Sequence, residues 1–351
     1  MQILGNSDLK VSRQGLGCMS MSEFYGTPIS EKKAIDLILK AYEIGINFFD
    51  TADVYGYGKN EILLGNAIRR IIENGVHRSK IIIATKCGII RDEHDVTKRG
   101  VDNSYEYVKE SCVRSLTRLG GAVGYIDLFY LHRISLDGKQ IDAAMKAMSE
   151  LLDEGKIRAV GLSEANQENI NSANKALLKH TNGKHQLTAV QSEYSLMTRV
   201  VEVNGVLKTC RELGVTFIAY SPLSRALLTG EIENTEQLES DDFRRNLPRF
   251  QIENLVYNNA IIEQIKSLAE KKGCTTSQVA LAWVMHQPNV IPIPGTTKEA
   301  HLLTNSHAES VELTNEELFL LNKLPEAKGY RYVEAAMKAY GFDDELKNMK
   351  K

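Results

Sequence analysis

A strand signal followed by a helix signal recurs eight times along this chain, and that alternation restricts its fold more than any other feature. Short runs rich in β-branched and aromatic residues mark the strands: QGLGCM, INFFD, KIIIATK, YIDLFYLH, IRAVGLS, LTAVQ, VTFIAY and NVIPI. Helical patterns follow each of them. In SEKKAIDLILKAYEIG, Ile35, Ile38, Leu39 and Tyr42 fall at i, i+3, i+4 and i+7, with Ser30 placed to cap the start and Gly45 where a stop is expected. Further helices are predicted over NEILLGNAIRRIIENG, over residues 104–119, and near 141–154, 166–180 and 199–213. After the seventh strand, a polar segment of roughly 221–254 precedes a pair of helices, the second opening on the capping-box spacing Thr275-Thr276-Ser277-Gln278. A βα unit used eight times with no linker predicts one closed α/β TIM (β/α)8 barrel, roughly residues 12–325, within a single domain spanning 1–351. A small N-terminal β-hairpin (QIL, then KVS) precedes it, and residues 326–351 read as a tail over the barrel mouth. The rival architecture, a doubly wound open sheet, lacks its dinucleotide fingerprint. Gly15-Leu16-Gly17 has no third glycine three residues on, and Gly56-Tyr57-Gly58 follows no complete βα unit.

Charge narrows the partners. The 43 basic and 45 acidic side chains leave a net charge of −2, and no long basic run stands out, so there is no electrostatic case for nucleic acid or an anionic membrane. No apolar run approaches the ~20 residues needed to cross a bilayer, and MQILGNSDLK lacks a signal-peptide pattern. Five scattered cysteines without a CxxC favour free thiols in a reducing compartment. The expectation is a cytoplasmic protein, monomeric by default, acting on a small molecule.

In a TIM barrel the chemistry gathers at the carboxyl ends of the strands. Strand two ends at Asp50 with Tyr55 just beyond, strand three at Lys86, strand four at His132, strand five at Ser163, strand six at Gln191 and strand seven at Tyr220. Taken singly, these have ordinary explanations: a snorkelling lysine, a core histidine, a capping aspartate, a packing tyrosine. Together they make a definite chemical device. A phenol has an unperturbed pKa near ~10; a neighbouring ammonium would stabilise the phenolate and lower it. An aspartate paired with that lysine would keep the ammonium charged and aimed, and a neutral imidazole would hold a carbonyl oxygen in line with the phenol. A metal-dependent barrel hydrolase would need several clustered ligands, and His132 is the only histidine on these strand ends.

The motifs Asn47-Phe48-Phe49-Asp50-Thr51-Ala52 with Tyr55-Gly56 and Asn60-Glu61, then Ala84-Thr85-Lys86, then Tyr130-Leu131-His132-Arg133, resemble the aldo-keto reductase superfamily. GLSEA, EYSL and AYSPL place the likeness in a bacterial and plant NADPH-dependent branch, and it runs from about residue 2 to about 325. The resemblance implies reduction of aldehydes or ketones by NADPH (NADH remaining open), without metal. It maps a catalytic tetrad onto Asp50, Tyr55, Lys86 and His132, with Tyr55 as proton donor. It implies nicotinamide contacts at Ser163 and Gln191, ring stacking on Tyr220, and a pyrophosphate loop at Ser221, Leu223 and Arg225. A second cofactor loop is implied at Gly295, Thr297, Lys298, His301 and Asn305, where Thr297 and Lys298 suit an adenosine 2′-phosphate. Barrel-mouth residues Met19, Met21, Phe24, Tyr25, Tyr57, Arg133 and Met197 would wall the substrate. The chain departs from the pattern at Ala226 (glycine elsewhere), Glu231 (lysine), Met197 (tryptophan), His301 and Thr304, which leaves the NADPH-over-NADH preference open. The alternative is a nicotinamide-binding regulatory or redox-sensing subunit with little turnover, since such subunits can also keep the tetrad.

Overall fold

The computed structural model describes residues 1–95, 98–339 and 342. The antiparallel hairpin β1 (Gln2–Ile3) and β2 (Lys10–Val11) opens the chain. The barrel strands follow: β3 (Leu16–Gly17), β4 (Phe48–Asp50) and β5 (Ile82–Cys87). A second antiparallel hairpin, β6 (Ile89–Arg91) and β7 (Arg99–Val101), interrupts them, before β8 (Ile126–Leu131), β9 (Ile157–Ser163), β10 (Ala189–Glu193), β11 (Thr216–Tyr220) and β12 (Val290–Pro292). The eight barrel strands run parallel in chain order from β3 to β12. The ends of this sheet meet: Gly15 N–H donates to Pro292 O at 3.0 Å, Gly17 N–H donates to Pro294 O at 3.2 Å, and Gly17 bridges Gly295. That seam makes a closed (β/α)8 barrel and rules out the open-sheet rival. A Cβ on Gly295 would lie 2.9 Å from Gly17 O, so the seam needs glycine there.

Period-two alternation sorts each strand into two layers. Phe48, Ile82, Ala84, Leu128, Tyr130, Ala159, Ala189, Ile218 and Ile291 fill the barrel interior with Leu4, Leu9 and Val11, so the N-terminal hairpin plugs the bottom. Phe49, Ile83, Phe129, Leu131, Val160, Val190 and Phe217 face the helical ring. A Cβ on Gly161 would lie 2.4 Å from the Tyr130 ring, so this glycine makes room for the largest interior side chain.

The ring consists of α1 (Glu31–Glu43), α2 (Lys59–Glu73), α3 (Tyr105–Leu119), α4 (Ile141–Asp153), α5 (Gln167–His180), α6 (Val206–Leu213), the pair α7 (Ile252–Lys272) and α8 (Thr276–His286), α9 (Glu299–Ser306) and α10 (Asn315–Asn322), with α11 (Glu334–Ala339) in the tail. Ser30 caps α1, and Thr275 with Gln278 forms a complete capping box on α8. Two boundaries differ from expectation. The helix predicted over 199–213 is a single 3-10 turn at Val200–Glu202 followed by α6, because Gly205 at φ +89° breaks the run. Strand β10 continues past Gln191 to Glu193. The polar segment before α7 is a chain of 3-10 turns that folds back against the first barrel loop, Phe243 N–H donating to Phe24 O at 3.2 Å. Among the described residues, no helix is long and apolar enough to cross a membrane.

Candidate active site

The alternation that builds the interior also aims the polar strand ends. Counting in twos from Phe48, Ala84, Tyr130, Gly161, Ala189 and Ile218 reaches Asp50, Lys86, His132, Ser163, Gln191 and Tyr220, so all six share the inward register at one mouth. Lys86, fully buried, donates from Nζ to Asp50 Oδ1 at 2.5 Å and to Thr51 O at 2.8 Å, and lies 3.4 Å from the Tyr55 hydroxyl. Gln191 Nε2 donates to the other Asp50 oxygen at 2.8 Å. The Tyr55 and His132 rings meet edge to face, centroids 5.7 Å apart. Asn60 accepts from the Thr51 hydroxyl and donates to Cys18 O and Ser22 Oγ, while Glu61 accepts from Thr85 and Arg118, so this pair braces the ends of β4 and β5 from behind.

Burial dominates the electrostatics here. It pushes the Lys86 ammonium down and the Asp50 carboxyl up, while their mutual attraction resists both. Burial, reinforced by the cations Lys86, Arg133 and Arg91, holds His132 well below its ordinary value, so the imidazole is neutral at pH 7. Its Nδ1 is buried without a hydrogen-bond partner, leaving Nε2 as the nitrogen for the cleft. Tyr55 departs from expectation. Burial first, then the Asp50 charge, raises its phenol well above 10 rather than lowering it. The physical reason is that a fully buried phenolate would lose its hydration beside the Asp50 charge, and the opposing pull of Arg133 does not make up for that.

Asp50, Tyr55 and His132 line a cleft of about 1120 Å³, with Lys86 buried beneath them. Ser163, Gln191, Tyr220, Ser221, Leu223 and Arg225 line one flank, and Gly295, Thr297, Lys298, His301 and Asn305 line the far end. There Lys298 is the N-cap residue of α9, an arrangement that presents backbone N–H groups at a helix start. Met19, Phe24, Tyr25 and Arg133 wall the mouth. Three expected wall residues lie elsewhere. Met197 and Met21 are buried in the core outside the barrel, and Tyr57, in a left-handed conformation at φ +55°, packs its ring 4.7 Å from the Arg91 guanidinium. Arg225 borders the cleft but directs its guanidinium to Glu193 Oε2 at 3.0 Å and Arg331 O at 2.9 Å.

Ser224, Arg225 and Ala226 take consecutive positive φ values of 49°, 56° and 72°. Ala226 stands where the related pattern has glycine, and an alanine in this region costs roughly 1 kcal/mol. Ala226→Gly is therefore expected to raise stability by about that much in urea unfolding; an unchanged or lower midpoint would show that the loop relaxes around alanine.

The sequence reading passed over a buried ionic cluster beside this flank. Glu164, at φ +53° just past β9, accepts both Arg331 nitrogens at 3.0 and 2.9 Å. Burial alone would raise the Glu164 pKa, but Arg331 outweighs it and holds the carboxyl at about 2. Glu193 receives Arg225 at 3.0 Å, with Arg249 at 3.6 Å and Arg331 at 3.8 Å. Arg331 thus pins the tail so that Tyr332 borders the cleft, its hydroxyl 3.1 Å from that of Tyr220. The expected tail over the mouth is present through Ala339; residues 340, 341 and 343–351 lie outside the described residues. Two glutamates just inside or past otherwise apolar strand ends, in GLSEA and QSEYSL, were the available signal.

The sequence profile of the aldo/keto reductase family matches residues 14–326, and the chain belongs to that family. The structure is similar to a glycerol dehydrogenase from Gluconobacter oxydans, with a TM-score of 0.78 and 28% identity over 92% of this chain and 94% of that one. It is also similar to a thermostable aldo-keto reductase determined in complex with the inhibitor epalrestat, with a TM-score of 0.69 and 26% identity over 92% and 99%. The protein is accordingly an oxidoreductase of carbonyl compounds, in a family that generally uses nicotinamide cofactors.

Proposed function

We propose that this protein reduces aldehydes or ketones to alcohols with NADPH, using Tyr55 as the proton donor. The observation that carries the reading is the contact chain Asp50–Lys86–Tyr55, with a neutral His132 against the same phenol. The residues fit a nicotinamide dinucleotide. Gln191 commits its Nε2 to Asp50, which leaves Oε1 to accept from a carboxamide, and the Ser163 hydroxyl stands beside it in the adjacent strand. Tyr220 offers an aromatic face on the next strand, and Thr297 and Lys298 offer donors to a phosphate before α9. The cofactor would supply the hydride.

The chain's own residues handle the oxygen. His132 Nε2–H and the Tyr55 hydroxyl would both donate to the carbonyl oxygen, polarising it as negative charge develops. Tyr55 then gives up its proton to the nascent alkoxide, forming O–H, and the resulting phenolate is met by the Lys86 ammonium until solvent returns a proton. A raised phenol pKa suits this direction, because Tyr55 stays protonated across the neutral range. The sign reverses for alcohol oxidation, where Tyr55 must start as phenolate. Oxidation is expected to quicken about tenfold per pH unit through the alkaline range while reduction stays flat from pH 6 to 8. Matching initial-rate profiles in the two directions would contradict that role.

The test is NADPH consumption at 340 nm against aromatic, aliphatic and dicarbonyl substrates, with NADH run in parallel. Turnover with both binding and consumption of NADPH supports the reading. Tight NADPH binding without turnover of any carbonyl would instead indicate a binding subunit. Lys298→Met is expected to raise the NADPH KM about tenfold and leave the NADH KM within about twofold, as loss of one charge-assisted contact to the 2′-phosphate would. Equal effects on both cofactors would remove Lys298 from that contact.

A further inference from the structure

Hairpin β6–β7, which the strand pattern did not announce, sets Arg91 directly opposite Arg99 in an antiparallel pair, and both side chains border the catalytic end of the cleft. Directly paired residues project to the same face of a ladder, and like charges in that position destabilise it. Arg91 is nevertheless held firmly. Its guanidinium lies 4.7 Å from the Tyr57 ring centroid and 5.5 Å from that of Phe24, and it donates to Val54 O and to Glu23. Arg133, next to His132, adds a third guanidinium at the same end, donating to His132 O at 2.9 Å. Of the carboxylates here, Asp50 pairs with Lys86 and Glu23 with Arg91. The field at His132 reflects the balance, since Lys86, Arg133 and Arg91 all act there to disfavour a positive charge.

We infer that the preferred substrates are carbonyl compounds bearing an anionic group, a carboxylate or a phosphate ester, which the Arg91–Arg99 pair receives while the carbonyl reaches Tyr55. The inference rests on the reductase reading and names its substrate class. Arginine suits the role because its planar fork matches both anions bidentately.

The test compares matched pairs, 4-carboxybenzaldehyde with benzaldehyde and glyceraldehyde 3-phosphate with glyceraldehyde, in kcat/KM and in equilibrium dialysis against the protein. The charged member of at least one pair is expected to be favoured about tenfold, the worth of one charge-assisted contact, and the pair that shows it separates carboxylate from phosphate. The ratio should shrink in 0.5 M NaCl, because Arg99 is exposed and screened. It should collapse toward one in Arg99→Gln and recover in Arg99→Lys. Neutral members favoured in both pairs, or a charged preference unmoved by Arg99→Gln, would overturn the inference. If no carbonyl is turned over, the reductase reading fails by itself, and the dialysis ratios with Arg99→Gln still decide the anion site.

Discussion

Tyr55→Phe is expected to lower carbonyl turnover by about a thousandfold while leaving cofactor affinity and the unfolding midpoint nearly unchanged. Removing one oxygen takes away the proton donor and one of two hydrogen bonds to the developing alkoxide, effects worth factors of about 10² to 10⁴. The ring itself stays packed against His132 and within 5.0 Å of the Lys86 ammonium, so the floor keeps its shape. Cofactor fluorescence titration and steady-state rates on the same preparations separate the two quantities. Retention of more than a tenth of the wild-type rate would mean that another group protonates the oxygen, and His132 would be the next candidate. A fall in cofactor affinity matching the fall in rate would mean that Tyr55 shapes the site rather than reacts in it.

The second large effect lies in the tail. Arg331→Met leaves Glu164 buried without its bidentate partner, and breaking a buried pair from one side costs about 3–5 kcal/mol. The pH dependence makes the claim specific. In the wild type the Glu164 pKa is held down at about 2, so its contribution is present above the ordinary carboxylate range near ~4.3 and fades as pH falls toward 2. In the variant, burial pushes the same pKa upward against only the smaller pull of Arg133 and the Tyr220 hydroxyl, so folding favours the protonated acid and stability falls as pH rises past that range. Urea unfolding should therefore show a larger deficit at pH 7 than at pH 4.5. A deficit equal at both would point to lost packing alone. Turnover should also drop, because Tyr332 and the Tyr220 flank lose their tether.

How much of this was legible follows from which interactions are local. The eight βα units and the capped helices α1 and α8 were readable because periodicity and caps are written within a few residues. The six polar strand ends were readable for a related reason: a period of two carries the inward register from the interior layer straight to the mouth. The Arg91–Arg99 hairpin was not, since three residues on each side of a polar stretch give no alternation to detect. The Glu164–Arg331 pair spans 167 positions, and no local pattern encodes such a partner. Tyr55 shows a subtler limit. Its neighbours were identifiable, but whether lysine or aspartate governs the phenol depends on burial and distances that only the folded site defines.

The seam between β3 and β12 also bears on how the chain emerges from the ribosome. Strand β3 has β4 on one side from early in synthesis, but its other edge waits for Pro292 and Pro294, more than 270 residues later. The hairpin that plugs the bottom waits nearly as long, Gly5 N–H being received by Thr216 Oγ1 across 211 positions. For most of translation the nascent chain therefore carries an unpaired strand edge and an open apolar lumen, both templates for mispairing. Two-residue β3 limits that hazard by its shortness, offering too little edge for a foreign strand to hold.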